Sequence, residues 1–229
     1  MVIAFIGLGE VGSTYSSGLA RNGATVKGYD IKFDTEGKEN FVNYQKCLDA
    51  GVQLVDSPKE LIEGSDIIIA VTSCSQAMET AAMYKPFLKK EQRYCEWNST
   101  VPDLVRKVEA FLGDNCTFVD CCTLCSPSMF GVATPCCSCG PAGEQTANEL
   151  NAYGMKIRYM GDSIGQASAF KVIRSIFTKS LEDTLVESLA CARYYGVEED
   201  IFKSIVEFLT DEPTDETLAM MVRTNMIHS

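Results

Sequence analysis

A doubly wound α/β domain with a mainly parallel sheet, followed by a small all-helical domain entered through one long helix, is the fold class predicted here. Three observations carry it. Continuous apolar runs short enough to be strands alternate with helical patterns from residue 2 to about residue 160. The strand runs then stop, and a single helical pattern extends from Gly165 to Tyr195. The chain has 229 residues, 46% of them hydrophobic and 22% charged, the composition of a globular protein able to bury a large core.

Residues 2 to 6 (Val-Ile-Ala-Phe-Ile) form an apolar run closed by glycine, a strand covered on both faces as parallel sheets require. Val11, Tyr15 and Leu19 then recur at helical spacing until Asn22-Gly23 ends the helix. Strand character returns over residues 25 to 30 and again at 52 to 55. Ser57-Pro58-Lys59-Glu60 supplies a cap, a proline for the first helical position and the acid of a capping box. Further strands are predicted at 66–72, 94–98, 117–121, 135–139 and 156–160, with Thr100 and Asp103 opening a helix between the second and third of these runs. Ile173, Phe177, Leu181, Leu185 and Leu189 mark the long helix, and two more helices are expected at 198–209 and from 215 onward. The domain boundary is placed near residue 163, giving domains 1–163 and 164–229. Leu218, Met221, Val222 and Met226 continue without a C-cap, so the helical domain is expected either to be incomplete by itself or to be covered by a second copy of the chain as a homodimer.

Charge and hydropathy narrow the partners. The formal charge is −11, from 31 acids and 20 bases, which repels nucleic acid and anionic lipid and leaves a small-molecule substrate as the expected ligand. No apolar run approaches the ~20 residues that a membrane-spanning helix needs. The first strand leaves no room for a signal peptide, so a cytoplasmic protein is expected. The only histidine is His228, next to the end, so acid–base chemistry must fall to Lys, Asp, Glu, Tyr or Cys.

The glycine turn defines the chemistry. Gly7-Leu8-Gly9-Glu10-Val11-Gly12 fits G-x-G-x-x-G, directly follows a buried strand, opens a helix, and precedes Asp30 at the end of the second strand. A tight surface turn would also fit the pattern, but this context is that of a Rossmann-type dinucleotide site. Gly7 permits the turn, Gly9 admits a diphosphate to the backbone, and Gly12 lets helix and strand pack closely; the helix amides and dipole face the phosphates. Asp30 accepts hydrogen bonds from ribose hydroxyls and repels a 2′-phosphate, which favours NAD; Lys32 leaves NADP open.

Together with this turn, Asn98-Ser99-Thr100 after a later strand and Gly165-Gln166-Ala167-Ser168-Ala169-Phe170-Lys171 at the start of the long helix resemble the β-hydroxyacid dehydrogenase and 6-phosphogluconate dehydrogenase superfamily. The similarity is closest to members with a short helical C-terminal domain. It implies an NAD(P)-dependent oxidoreductase transferring hydride from a small hydroxy acid or alcohol, with Lys171 as acid/base. It also implies that Val71, Thr72, Ser73 and Asn98 line the cofactor, and that Ser99, Thr123, Arg174 and Ser175 lie toward the substrate. Two departures fall on the substrate side. Ser175 stands where the family has asparagine, and Asp120 through Pro127 replaces a glycine-rich loop. A non-catalytic NAD(P)-binding sensor or scaffold is therefore the alternative. Without the resemblance, the stripe of Lys171, Arg174, Ser175 and Thr178 also suits a solvated helix face. No Y-x-x-x-K pair is present to support a short-chain dehydrogenase.

Eleven cysteines include the crowded set Cys121, Cys122, Cys125, Cys136, Cys137 and Cys139. Cys122 and Cys125 form a C-x-x-C that, with the later thiols, offers ligands for zinc or an iron–sulfur cluster. Core packing is the favoured reading, and no metal is expected, because adjacent cysteines on a strand point to opposite faces.

Overall fold

The computed structural model describes residues 1–210 and 214–220. In chain order the elements are β1 (Val2–Ile6), α1 (Glu10–Arg21), β2 (Thr25–Tyr29), α2 (Tyr44–Asp49), β3 (Gln53–Leu54), α3 (Pro58–Ile62), β4 (Ile67–Ala70), α4 (Ala77–Tyr84), β5 (Arg93–Glu96), α5 (Pro102–Leu112), β6 (Thr117–Thr123), α6 (Pro127–Phe130), β7 (Pro135–Cys139), α7 (Gly143–Asn151), β8 (Lys156–Tyr159), α8 (Gln166–Tyr195) and α9 (Glu198–Thr210). The strands form one sheet in the order β3-β2-β1-β4-β5-β6-β7-β8. The first six run parallel; β7 pairs antiparallel with β6, and β8 parallel with β7. This is the doubly wound, mainly parallel Rossmann arrangement.

The order of strands creates the site. The chain winds outward from β1 to β3, then returns to β4 on the other side of β1, so the loops after β1 and β4 diverge at the carboxyl ends of adjacent strands. The centre of the sheet is apolar on both faces. Ile3, Ala4 and Phe5 of β1 and all of β4 are fully buried, as continuous apolar runs require. Tyr15 and Leu19 of α1 cover one face, while small residues on α1 permit close approach: a Cβ at Gly18 would lie 2.4 Å from Val132.

Several local expectations need correction. The strand foreseen at 52–55 contracts to Gln53–Leu54. Thr100 does not cap α5: Val101 occupies the cap position without a side-chain bond, and Thr100 is buried. Pro102 explains this, since it supplies a helical φ and carries no amide to satisfy. By contrast Ser57 does cap α3, its Oγ accepting the Glu60 amide at 3.2 Å, while the Glu60 carboxylate reaches back to the Asp56 amide. Between β2 and β3 the chain makes a π-helical turn, a 3₁₀ turn and α2, none of which the apolar spacing reveals. Phe33 and Phe41 are buried there edge to face, with ring centres 5.4 Å apart.

Two compact units divide the chain, residues 1–173 and 174–229, later than the boundary expected at residue 163. The first turns of α8 belong to the first unit because Ala167 and Phe170 pack with Cys122, Cys137 and Cys139 of β6 and β7. The second unit contains the rest of α8, α9 and a helix over residues 214–220. Gly196, at φ +74°, turns the chain between α8 and α9, and Arg193 pairs with Glu198 across that turn. Phe177 and Leu181, which mark the helical spacing of α8, are exposed. Met221, Val222, Met226 and His228 lie outside the described residues. Among the described residues no helix is long and apolar enough to cross a membrane.

Candidate functional site

The loop between β1 and α1 has the three glycines in three distinct roles. Gly7 adopts φ +90°, and a Cβ there would lie 2.6 Å from the Val71 carbonyl oxygen. At Gly12 a Cβ would lie 2.0 Å from the Gly7 carbonyl oxygen, so helix and turn could not approach as they do. Around Gly9 no atom lies within 4 Å of a Cβ position. That space is open to a ligand rather than needed for packing, and Glu10, Val11 and Gly12 begin α1 with amides that have no intrahelical acceptor. The amide of Leu8, expected to be free for phosphate, is instead tied to Asp30 Oδ2 at 2.8 Å, and the Leu8 side chain is buried against Gly28. Asn43, which no sequence signal marks, donates to the Leu8 carbonyl at 2.8 Å and clasps the turn from outside.

Beside the turn lies a cleft of about 420 Å³ lined by Gly7, Gly9, Glu10, Val11, Asp30, Lys32, Val71, Thr72 and Ser73, with Gln76, Glu79, Thr80, Met83 and Tyr84 from the segment after β4. Eight expected cofactor residues therefore share one wall with Gly7. The Asp30 carboxylate holds the Leu8 and Lys32 amides, which orients it at the mouth. Lys32 Nζ stands 3.4 Å from Glu36. Asn98 lies just behind: its Oδ1 accepts from both the amide and the hydroxyl of Thr72, while its Nδ2 is buried with no hydrogen-bond partner. An unpartnered buried amide next to an open glycine cradle fits an adenine dinucleotide with a hydrogen-bond acceptor to offer.

Lys171 occupies α8 shortly after its start, and its Nζ bonds to Ser99 Oγ. Ser99 has φ +59°, a left-handed conformation that costs a serine energy and turns its side chain toward the lysine. Burial pulls the Lys171 ammonium below the ordinary lysine range; the thiols of Cys122, Cys136 and Cys137 oppose that fall. Through Ser99, Asn98 and Thr72 the lysine is linked to the cleft. Thr123, expected toward the substrate, is buried, and its hydroxyl is shared by Tyr15 at 3.0 Å and the Trp97 indole at 3.1 Å. Arg174 and Ser175 belong to the second unit.

Eight of the eleven cysteines are buried, Cys125 is half-buried, and Cys74 and Cys191 are exposed. Cys122 and Cys137 face each other across β6 and β7 with sulfurs 3.0 Å apart, and Cys122 donates to the Ala167 carbonyl at 3.2 Å. All eleven are free thiols. Two carboxylates escaped the sequence reading, Glu96 and Asp120, each 1% exposed. An acid inside an apolar strand is the signal that marks both, because an unsatisfied buried carboxylate is costly.

The family described as the NAD binding domain of 6-phosphogluconate dehydrogenase matches residues 2–123. An uncharacterized 28.5 kDa protein of Methanothermus fervidus is 28% identical over 209 residues, which is 90% of this chain and 77% of that one. The 3-hydroxyisobutyrate dehydrogenase of Mycobacterium tuberculosis superposes with a TM-score of 0.77 at 18% identity, over 93% of this chain and 72% of its own. An imine reductase of Myxococcus stipitatus, in complex with NAD+, gives a TM-score of 0.79 at 17% identity, over 99% and 76%. These two structures share the fold. The superfamily resemblance read from the sequence holds, and the cofactor class is a nicotinamide adenine dinucleotide.

Proposed function

From the premise that this chain belongs to the family of the NAD binding domain of 6-phosphogluconate dehydrogenase, we propose that it is an NAD(P)-dependent oxidoreductase acting on the CH–OH group of a small hydroxy acid or alcohol. The observation that carries the catalytic half is Lys171, an amine depressed by burial and joined through Ser99 to the dinucleotide cleft. When bound, the nicotinamide accepts hydride. The chain's own part is positional and protic. Amides at the start of α1 hold the diphosphate, Asp30 accepts from the ribose, and Asn98 fixes Thr72 at the cleft wall. Neutral Lys171 takes the hydroxyl proton of the substrate as hydride leaves, with Ser99 holding the amine in place.

NAD is favoured over NADP. Glu10, Asp30 and Glu79 line the cleft against the single base Lys32, and that balance disfavours another phosphate. As part of this proposal the protein works in the cytoplasm on a small-molecule substrate. Neither nucleic acid nor membrane is a partner.

A second reading, dinucleotide binding without turnover, is favoured by Ser175 and by the committed hydroxyl of Thr123. One experiment separates the two. Melting in NAD and NADP should show the larger rise with NAD. A hydroxy-acid panel should then show reduction of NAD that increases with pH through the lysine titration and levels off below the pH that an ordinary lysine would require. Lys171→Met should lower turnover about 10²-fold while leaving the NAD-induced rise intact. Its melting temperature at pH 7 should exceed that of the wild type, because a depressed amine costs stability at every pH below its ordinary value; that gain shrinks as pH rises. Binding with no turnover across the panel establishes the second reading, and no binding removes both.

A further inference from the structure

Asp120 lies within β6, and a single oxygen, Oδ2, gathers four donors: the Gly165 amide at 3.1 Å, and the Ser168 amide, the Ser168 hydroxyl and the Cys139 thiol, each at 3.2 Å. Gly165, at φ +98°, immediately precedes α8, and Ser168 is in its first turn. Amides at a helix start have no partner within the helix and carry its positive end, so a buried anion there is both satisfied and stabilised. Lys171 lies one turn further along the same helix. Two thiol contacts fasten the same segment to the sheet, Cys122 to the Ala167 carbonyl at 3.2 Å and the Ala167 amide to Cys139 at 3.3 Å.

Glu96 stands opposite Asp120 in the register of β5 and β6. Its Oε1 accepts the Asn98 amide at 3.0 Å, whereas Glu96 Oε2 and Asp120 Oδ1 are both buried and unbonded. Two buried carboxyl groups side by side do not both ionise at little cost. Burial raises Glu96 to about 7, with Asp120 adding to the rise. Asp120 Oδ2 has the amides at the start of α8 as donors, whereas Glu96 Oε2 has none.

We propose that Asp120 is the positioning residue for Lys171: its buried carboxylate draws the first turn of α8 onto β6 and thereby holds the lysine amine against Ser99. The catalytic consequence rests on the function proposed above; the positioning does not.

Trace acylation of the folded full-length protein across a pH series, read at Lys171 by mass spectrometry, reports the amine directly. In Asp120→Ala the midpoint of Lys171 labelling should rise by about one pH unit toward that of the surface lysines as burial is lost. Turnover should fall roughly 10²-fold, with the KM for NAD within about threefold of wild type. Asp120→Asn keeps an acceptor oxygen for the amides and should restore most of both losses. Ser168→Ala, which removes one donor and keeps the helix, should move the midpoint part of the way and provides the test if Asp120→Ala does not fold. An unchanged Lys171 profile in folded Asp120→Ala, or in Ser168→Ala, overturns the proposal. A shifted profile in a protein that turns over no hydroxy acid removes the proposed function and leaves the positioning standing.

Discussion

Gly9 and Gly12 belong to one motif, yet their surroundings separate binding from folding. The space around Gly9 is empty, so a methyl there meets no neighbouring side chain or backbone, and Gly9→Ala should cost the free protein less stability than Gly12→Ala. It should weaken NAD about tenfold or more, because the new methyl occupies the approach of the diphosphate. Gly12→Ala meets the Gly7 carbonyl and should instead cost about 1–3 kcal/mol of stability before any ligand is added. Calorimetry and thermal melts of the two variants check this division. Equal destabilisation, or equal loss of affinity with no change in stability, would contradict it. The motif's spacing was legible from the sequence because each glycine answers a local backbone requirement. That Asp30 ties the Leu8 amide was not, since the two residues meet only when β2 lies beside β1.

At the level of elements, Tyr15 of α1, Thr123 at the end of β6 and Trp97 after β5 join three separate parts of the first unit through one hydroxyl. Burial raises the Tyr15 hydroxyl well above its ordinary range, so it is present as a neutral phenol able to donate. Thr123→Val keeps the shape, leaves the Trp97 indole N–H without its acceptor and removes one of the two partners of the Tyr15 hydroxyl. The expected cost is about 1–3 kcal/mol in chemical denaturation, with the KM for substrate unchanged. A raised KM at unaltered stability would return Thr123 to the substrate side. The strands themselves were readable because parallel pairing buries both faces and leaves continuous apolar runs such as Ile67–Ala70. The stretch between β2 and β3 was unreadable for the opposite reason. Its buried apolar residues, Phe33, Phe41, Cys47, Ala50 and Val52, have no constant period and are selected by where the sheet lies.

Across the whole molecule, apolar side chains are distributed unevenly between the two units. In the second, Ile176, Phe177, Leu181, Val186, Phe202 and Phe208 are exposed among the described residues. Apolar surface of this kind is the ordinary mark of an interface, and we propose that a second copy of the chain covers it, as a homodimer. Light scattering should give about twice 25.1 kDa, and Phe177→Glu with Leu181→Glu should shift the protein toward monomer; a wild-type monomer would refute the proposal. The amino-acid order alone was enough for the alternation of strands and helices, the glycine turn with Asp30, and the lysine on the long helix, because periodicity, turn geometry and motif spacing act over short separations. The occupied hydroxyl of Thr123, the grip of Asp120 on α8 and the pairing of Glu96 with Asp120 required the folded chain. Each joins residues far apart in sequence, and whether a buried polar group is free or satisfied depends on the neighbours that packing brings to it.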